Sequence, residues 1–359
     1  MHEGTPLGAI FAGSDRDRAA QAFLAGAGWA GATASPVAGD ASNRRYFRLV
    51  KEGESAIFMD APAGKGEDAG AFRRLADHLV SHGFSAPRIL AADEAQGFLL
   101  VEDLGNDLYA RVCEREPGRE AELYAAATDA LVALGRRPVP AFAAPYDEGP
   151  LWQEAVLVAD WYLPPLIGVR AAAAFRDSLR TTLLPLLVPA LQAPPVLVLR
   201  DYHAENLLWL PDREGIRRVG MIDFQDALAG HPAYDLLSLL EDARRDTSAA
   251  LRGAMIDRFL EATGYARGPF LRDHAALAAQ RNLKILGIFA RLRRRDGRRG
   301  YLEMLPRVWD HLMRDLDHPD LAPLARLVRE HVPPPSAEVL ARLDDTGDAA
   351  EDAAPGTPA

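Results

Sequence analysis

The chain reads as an α+β protein with a small sheet-rich N-terminal part and a larger, mostly helical C-terminal part. Three observations carry this. Up to about residue 105 the apolar residues come in short runs bounded by Gly, Pro and Asp, the punctuation of strands and turns. Beyond about residue 119 the chain turns Ala- and Leu-rich with apolar residues at helical spacing. Within that helical half, Val196–Leu199, Leu207–Leu210 and Val219–Ile222 form three short apolar runs separated by polar turns.

That central stretch holds the chemistry. Asp201 and Asn206 fall in the first polar turn, and Asp223 follows the last run. One Asp at a strand end is ordinarily a turn or cap residue. An Asp, an Asn five residues on, and an Asp after the next strand is the order in which kinases carry their catalytic and metal loops. One carboxylate accepts the proton of the attacking hydroxyl, while the Asn oxygen and the second carboxylate hold Mg2+ against the nucleotide phosphates.

Arg200-Asp-Tyr-His-Ala-Glu-Asn-Leu and Ile222-Asp-Phe-Gln-Asp-Ala resemble the loops of the aminoglycoside phosphotransferase and choline kinase superfamily. Asp223-Phe-Gln-Asp-Ala-Leu-Ala-Gly, Tyr234-Asp-Leu-Leu-Ser-Leu-Leu and Leu283-Lys-Ile-Leu-Gly-Ile-Phe-Ala-Arg-Leu are more narrowly similar to the anomeric N-acetylmuramate and N-acetylglucosamine kinases of peptidoglycan recycling. The resemblance spans about residues 35–325. It implies a protein-kinase-like bilobal fold: an N-lobe covering the nucleotide (1–101), a hinge (102–107), a C-lobe with the loops and substrate site (108–342), and a disordered tail (343–359).

Composition agrees with a globular enzyme. A chain of 359 residues easily buries a core, and a charge of −10 argues against general nucleic-acid binding, which needs a basic surface. The single cysteine, Cys113, excludes an intrachain disulfide and a cysteine metal cluster. No run of about 18 apolar residues and no secretory leader is present, so no membrane partner and a cytoplasmic monomer are expected.

In chain order, Asp15 is expected to cap a helix to Gly28. Gly39 to Asp60 reads as strand, turn, strand, turn, strand. The resemblance makes Asp40, Ala41, Ser42 and Asn43 the turn over the ATP phosphates, with Arg44 and Arg45 adding charge. Kinases of this fold carry a Lys in the third strand paired to a Glu in the next helix. Here Met59 stands near the Lys position and Phe72 or Arg73 near the Glu. Losing both together leaves no unpaired charge. Phosphate charge then falls to Arg44, Arg45, Lys65 or the metal. Glu67–His82 is an amphipathic helix. By the resemblance, Glu102 and Leu104 meet the adenine through main-chain atoms.

Arg119–Gly135 reads as a core helix. Leu151–Tyr162 is a second, carrying Trp161 as a surface for a sugar's C–H face. Phe175–Leu191 is a third, expected to break near Pro185 and Pro189. After the central strands, Pro232 opens a helix whose Asp235 the resemblance assigns to support of the catalytic loop. Helices over Leu251–Thr263, Arg272–Arg295 and Tyr301–Leu316 complete the half. The Arg291–Arg295 cluster reads as a solvated helix end or as a receiver of an anionic group.

The expected activity is ATP- and Mg2+-dependent phosphorylation of a small amino sugar. Asp201 is the base, Arg200 steadies the loop or the phosphoryl group, and Asn206 and Asp223 hold metal. His203, Glu205, Gln225, Asp226 and Trp161 are the substrate candidates. Leu199 stands where the resembling enzymes commonly have His. Two alternatives carry their own signals. A kinase of choline or an aminoglycoside would use an acidic wall of Glu154, Asp160, Glu241 and Asp242. A catalytically idle nucleotide-binding module would explain the missing Lys–Glu pair.

Overall fold

A computed structural model describes residues 4–37, 44–62 and 68–345. The chain folds as two compact units, Met1–Ala133 with Ala204–Ala227, and Leu134–His203 with Leu228–Ala359. Residues 108–133 and the segment carrying Asn206 and Asp223 thus group with the N-terminal sheet, whereas the sequence suggested a division at 102–107.

The first unit is built on a six-stranded antiparallel sheet. Its strands are β1 (Thr5–Pro6), β2 (Thr33–Val37), β3 (Arg45–Lys51), β4 (Glu54–Asp60), β5 (Ile89–Asp93) and β6 (Phe98–Glu102), in the order β1-β2-β3-β4-β6-β5. Strand β3 alternates as the period of two requires, burying Phe47 and Leu49 while Arg48 is half-buried and Val50 exposed on the other face. Glu52 and Gly53 both take positive φ in the β3–β4 turn, the twist-matched geometry of a two-residue hairpin. The helix Asp15–Gly26 packs on one face, where Phe11, Leu24, Phe47, Phe58 and Phe98 form the core. Its N-cap is Ser14, not Asp15: the Ser14 side chain accepts the Asp17 N–H and the Asp17 carboxylate returns the bond. The described part of the next helix is Ala69–Ser81, capped by Asp68.

The second unit is helical apart from β7 (Val196–Val198), paired antiparallel with β10 (Leu228–Gly230). The intervening β8 (Leu207–Trp209) and β9 (Val219–Met221) pair with each other in the first unit. The helix Val169–Leu191 runs unbroken through Pro185 and Pro189, against expectation. Its stripe of Phe175, Leu179, Leu183 and Leu187 is buried, while Pro185 and Thr181 are exposed, so water can satisfy the carbonyl that Pro185 leaves unpaired. The expected helix Leu151–Tyr162 divides into Glu148–Ala155 and a wider π turn, Val158–Tyr162. The longest helix, Arg267–Arg294, lies against that turn. A Cβ at Gly287 would come within 2.2 Å of the Leu157 carbonyl carbon, so only glycine permits the approach.

The expected disordered tail begins too early. Helix Ala337–Asp344 includes the fully buried Leu343, and Arg293 pairs with the Asp344 carboxylate. Residues 346–359 lie outside the described residues.

Candidate active site

The candidate functional residues lie in both units. In the second, β7 delivers Leu199, Arg200 and Asp201. Arg200 holds φ at +73°, the left-handed region, which costs a non-glycine residue about 1–2 kcal/mol. Several bonds hold it there. The buried Asp235 carboxylate accepts the Leu199 and Arg200 N–H groups at 2.7 and 2.8 Å. The Ser238 hydroxyl donates to the Arg200 carbonyl at 3.1 Å and accepts from Arg281 at 2.9 Å. Asp235 therefore anchors the loop main chain.

The Arg200 guanidinium lies over the Tyr146 ring, 5.5 Å from its centroid, and donates to the Glu154 carboxylate. Glu154 also accepts from Tyr146 and, at 3.0 Å, from the Lys284 ammonium. Burial pushes the Glu154 carboxyl up, but Lys284 and Arg200 outweigh it and keep it below its usual range. Asp201 behaves alike: burial raises it, and the charges of Lys284, His203, Arg200 and Arg281 hold it lower. It stays ionised at neutral pH, ready to accept a hydrogen bond. His203 is buried, and that burial drives its imidazole toward the neutral form. Trp161 is half-buried in the π turn.

In the first unit, β8 and β9 bring Asn206 and Asp223 together. The Ile222 N–H donates to the Asn206 carbonyl at 3.1 Å. Asp223 takes φ of +57°, while Phe224 is fully buried and stacked on Phe72, ring centroids 5.0 Å apart. The Asp223 carboxylate receives Arg44 at 3.2 Å, Gln225 at 3.0 Å and the Asn206 amide at 3.5 Å. Gln225, expected at substrate, is thus turned onto Asp223, while Asp226 is exposed and Glu205 half-buried. Among the described residues no three His, Cys, Asp or Glu side chains gather as a metal cage. One carboxylate beside one carboxamide, with nucleotide phosphates completing the shell, suits Mg2+, which seldom uses an all-protein cage.

At the expected hinge, the Glu102 N–H donates to the Arg88 carbonyl at 2.8 Å, and its carboxylate binds Arg88 and Arg213. That N–H is therefore spent within the sheet. Leu104 has no main-chain hydrogen-bond partner among the described residues, which leaves its N–H and C=O available. The turn is clamped by Arg48, which binds Asp103 at 2.7 Å and the Gly105 carbonyl at 2.9 Å. Asp40, Ala41, Ser42, Asn43 and Lys65 lie outside the described residues. Arg45 pairs with Asp60 and Asp17. In the arginine cluster, Arg293 binds Asp344, Arg294 the Asp345 carbonyl, and Arg295 binds Asp296, as at an ordinary helix end.

The sequence reading did not give the Glu154–Arg200–Lys284 arrangement or the Arg281–Ser238 support. Glu154 stood out only as an acidic residue and Lys284 only inside a motif, because neither has a charged partner nearby in sequence.

Residues 33–271 match the phosphotransferase enzyme family. An N-acetylmuramate/N-acetylglucosamine kinase from Caulobacter vibrioides is 38% identical over 356 residues, covering 89% of this chain and 98% of the relative. A kinase of the same name from Pseudomonas aeruginosa is 36% identical, covering 82% and 87%. The solved choline/ethanolamine kinase family protein from Mesorhizobium loti superposes with a TM-score of 0.60 at 17% identity, covering 88% of this chain and 99% of that one. This chain belongs to the phosphotransferase enzyme family.

Proposed function

We propose that this protein is an ATP- and Mg2+-dependent kinase of N-acetylmuramate and N-acetylglucosamine, transferring phosphate to the anomeric hydroxyl within cell-wall recycling. The names of the relatives above, at this identity and coverage, support the substrate class. One observation within the second unit separates it from a kinase of cationic substrates. The acidic wall such a kinase would need is consumed internally. Glu154 is neutralised by Arg200 and Lys284, and Asp160 pairs with Arg176 at 2.8 Å. Glu241 and Asp242 are buried, bonded to the Asn282 amide and the Arg244 N–H. Two of these four carboxylates are ion-paired and the other two are buried, so none stands exposed and unpaired for an aminoglycoside or choline, whereas a neutral or anionic sugar needs none.

In this reading Asp201 orients the anomeric hydroxyl and accepts its proton as phosphate is transferred. Its low basicity suits a proton that moves late, when the oxygen already carries part of the new bond. Arg200 does not touch the phosphoryl group; bound to Glu154, it positions Asp201. Asn206 and Asp223 would hold magnesium, which when bound neutralises phosphate charge. Leu104 presents main-chain groups to the nucleotide base. Trp161, His203, Glu205, Gln225 and Asp226 remain the candidates for sugar contact. Gln225 and Asp226 follow Asp223 directly, so rotation of Gln225 away from that carboxylate would free its amide.

The test is chemical. Both free sugars should consume ATP and yield the 1-phosphate by phosphorus NMR, while their methyl glycosides yield nothing. Methylation removes the nucleophilic proton and blocks in-line approach. A phosphorylated methyl glycoside, or activity only with choline or an aminoglycoside, overturns the reading.

A further inference from the structure

We propose that Arg48 is a positioning residue for the nucleotide base: from β3 it closes the turn at residues 103–106, so that the Leu104 main chain meets the base already ordered. This rests on the nucleotide-kinase reading above and deepens it. Residues 102–107 lie wholly within the first unit, so the segment is a turn of that unit and not a division between two. Its parts are tied down one by one. The Asp103 carboxylate, its side chain 6% exposed, accepts the Gly105 N–H at 3.0 Å. The Asn106 carbonyl accepts the Leu108 N–H at 2.9 Å, where the chain enters the helix Tyr109–Arg115. The Leu104 side chain is buried against β9: a Cβ at Gly220 would stand 3.3 Å from its Cδ1, so the glycine makes room for it.

Arg48 joins these pieces. Its Nη2 donates to Asp103 Oδ1 at 2.8 Å and to the Gly105 carbonyl at 2.9 Å. Its Nε lies 2.7 Å from Asp103 Oδ2, and its Nη1 donates to the Asn106 side-chain carbonyl. One side chain thus holds the residues on both sides of Leu104, using the several donors that a planar guanidinium offers and a lysine does not. Its base is firm, because β3 is paired with β2 on one edge and with β4 on the other. Leu104 is 9% exposed, yet its N–H and C=O meet no other main-chain group among the described residues. Buried main-chain groups are almost always paired, and an adenine edge offers both an acceptor and a donor. A loose turn would have to be ordered as the nucleotide binds, at a cost to affinity. Arg48 removes that cost beforehand.

The test separates the base from the phosphates. In full-length Arg48→Gln, AMP and magnesium with the non-hydrolysable analogue AMP-PNP should both bind about 10-fold more weakly by calorimetry, the cost of ordering about one backbone residue. Magnesium tripolyphosphate, which has no base, should bind as it does to wild type. KM for ATP should rise by the same factor while kcat stays within about twofold, because the base is held alike in ground and transition states. A general structural role would weaken tripolyphosphate binding and lower kcat as well. Either of those results, or unchanged AMP-PNP affinity, overturns the proposal. Asp103→Asn removes the anion that Arg48 grips and carries the same comparison if Arg48→Gln fails to fold. It should weaken AMP-PNP and spare tripolyphosphate, and any other pattern overturns the proposal. The double variant should lose no more than the larger single loss, since both substitutions open one clamp, and additive losses overturn it. Wild-type protein that fails to bind magnesium with AMP-PNP overturns the kinase reading itself. Normal wild-type binding with an indifferent Arg48→Gln overturns only this inference.

Discussion

The surroundings of Asp201 and of Asp223 are built on opposite principles. Both aspartates follow a three-residue strand, and each lies at or beside a non-glycine residue in the left-handed region. Around Asp201 the charges are enclosed and interlocked: Arg200 on Glu154, Glu154 on Lys284, Asp235 and Ser238 on the loop main chain. Around Asp223 the partners are few and lie at 3.0–3.5 Å on a partly exposed carboxylate. The lesson concerns reorganisation. A group that only accepts a proton gains from fixed, prepaid surroundings. A group that must admit a metal and phosphates gains from partners it can release.

The comparison breaks first on substitution of the two aspartates. Asp223→Ala should lower turnover by about 1,000-fold or more and weaken magnesium-dependent nucleotide binding with it, since an ion stabilises ground and transition states alike. Asp201→Asn should lower turnover by at least about 100-fold while leaving nucleotide affinity near wild type. Steady-state kinetics with calorimetry on both variants checks the contrast. Equal losses of nucleotide binding would erase the distinction between the two regions.

The next effect sharpens it. Glu154→Gln leaves Arg200 and Lys284 facing each other without their shared anion. Breaking such a buried pair costs about 3 kcal/mol, read from the urea midpoint, and kcat should fall more than KM because Arg200 loses its hold beside Asp201. Wild-type stability and kcat in this variant would show that the interlocked charges position nothing.

The smallest effect is a pH dependence. Burial pushes Asp235 from 3.8 up to about 7, against the two N–H groups that favour its charged form. The folded state therefore keeps this proton over a range where the unfolded chain releases it. The stability it adds is fully present below the ordinary carboxylate value and is lost as pH rises through about 7. Urea midpoints should fall more steeply between about pH 5 and about pH 8 in the wild type than in Asp235→Asn, which has no such proton. Parallel slopes would remove Asp235 as the source.

Much of this was legible in the residues. The strands of the central stretch, the order Asp201, Asn206, Asp223 and the helical second half follow from local pattern, because short apolar runs and their turns are specified by near neighbours. The Ser14 cap and the continuous Val169–Leu191 helix departed from expectation for local reasons of another kind. A capping box competed with a simple acidic cap, and a buried leucine stripe outweighed two prolines.

What sequence determined by itself is therefore the set of candidate reacting groups and their order along the chain. What only the tertiary structure decided is which charge each of them faces. Arg200 meets Glu154 across 46 residues, Lys284 meets Glu154 across 130, and Arg44 meets Asp223 across 179. Ion pairs carry no periodicity and no spacing rule at such separations. They exist only once hydrophobic burial has brought distant elements together, and that burial is what makes their strength and their specificity.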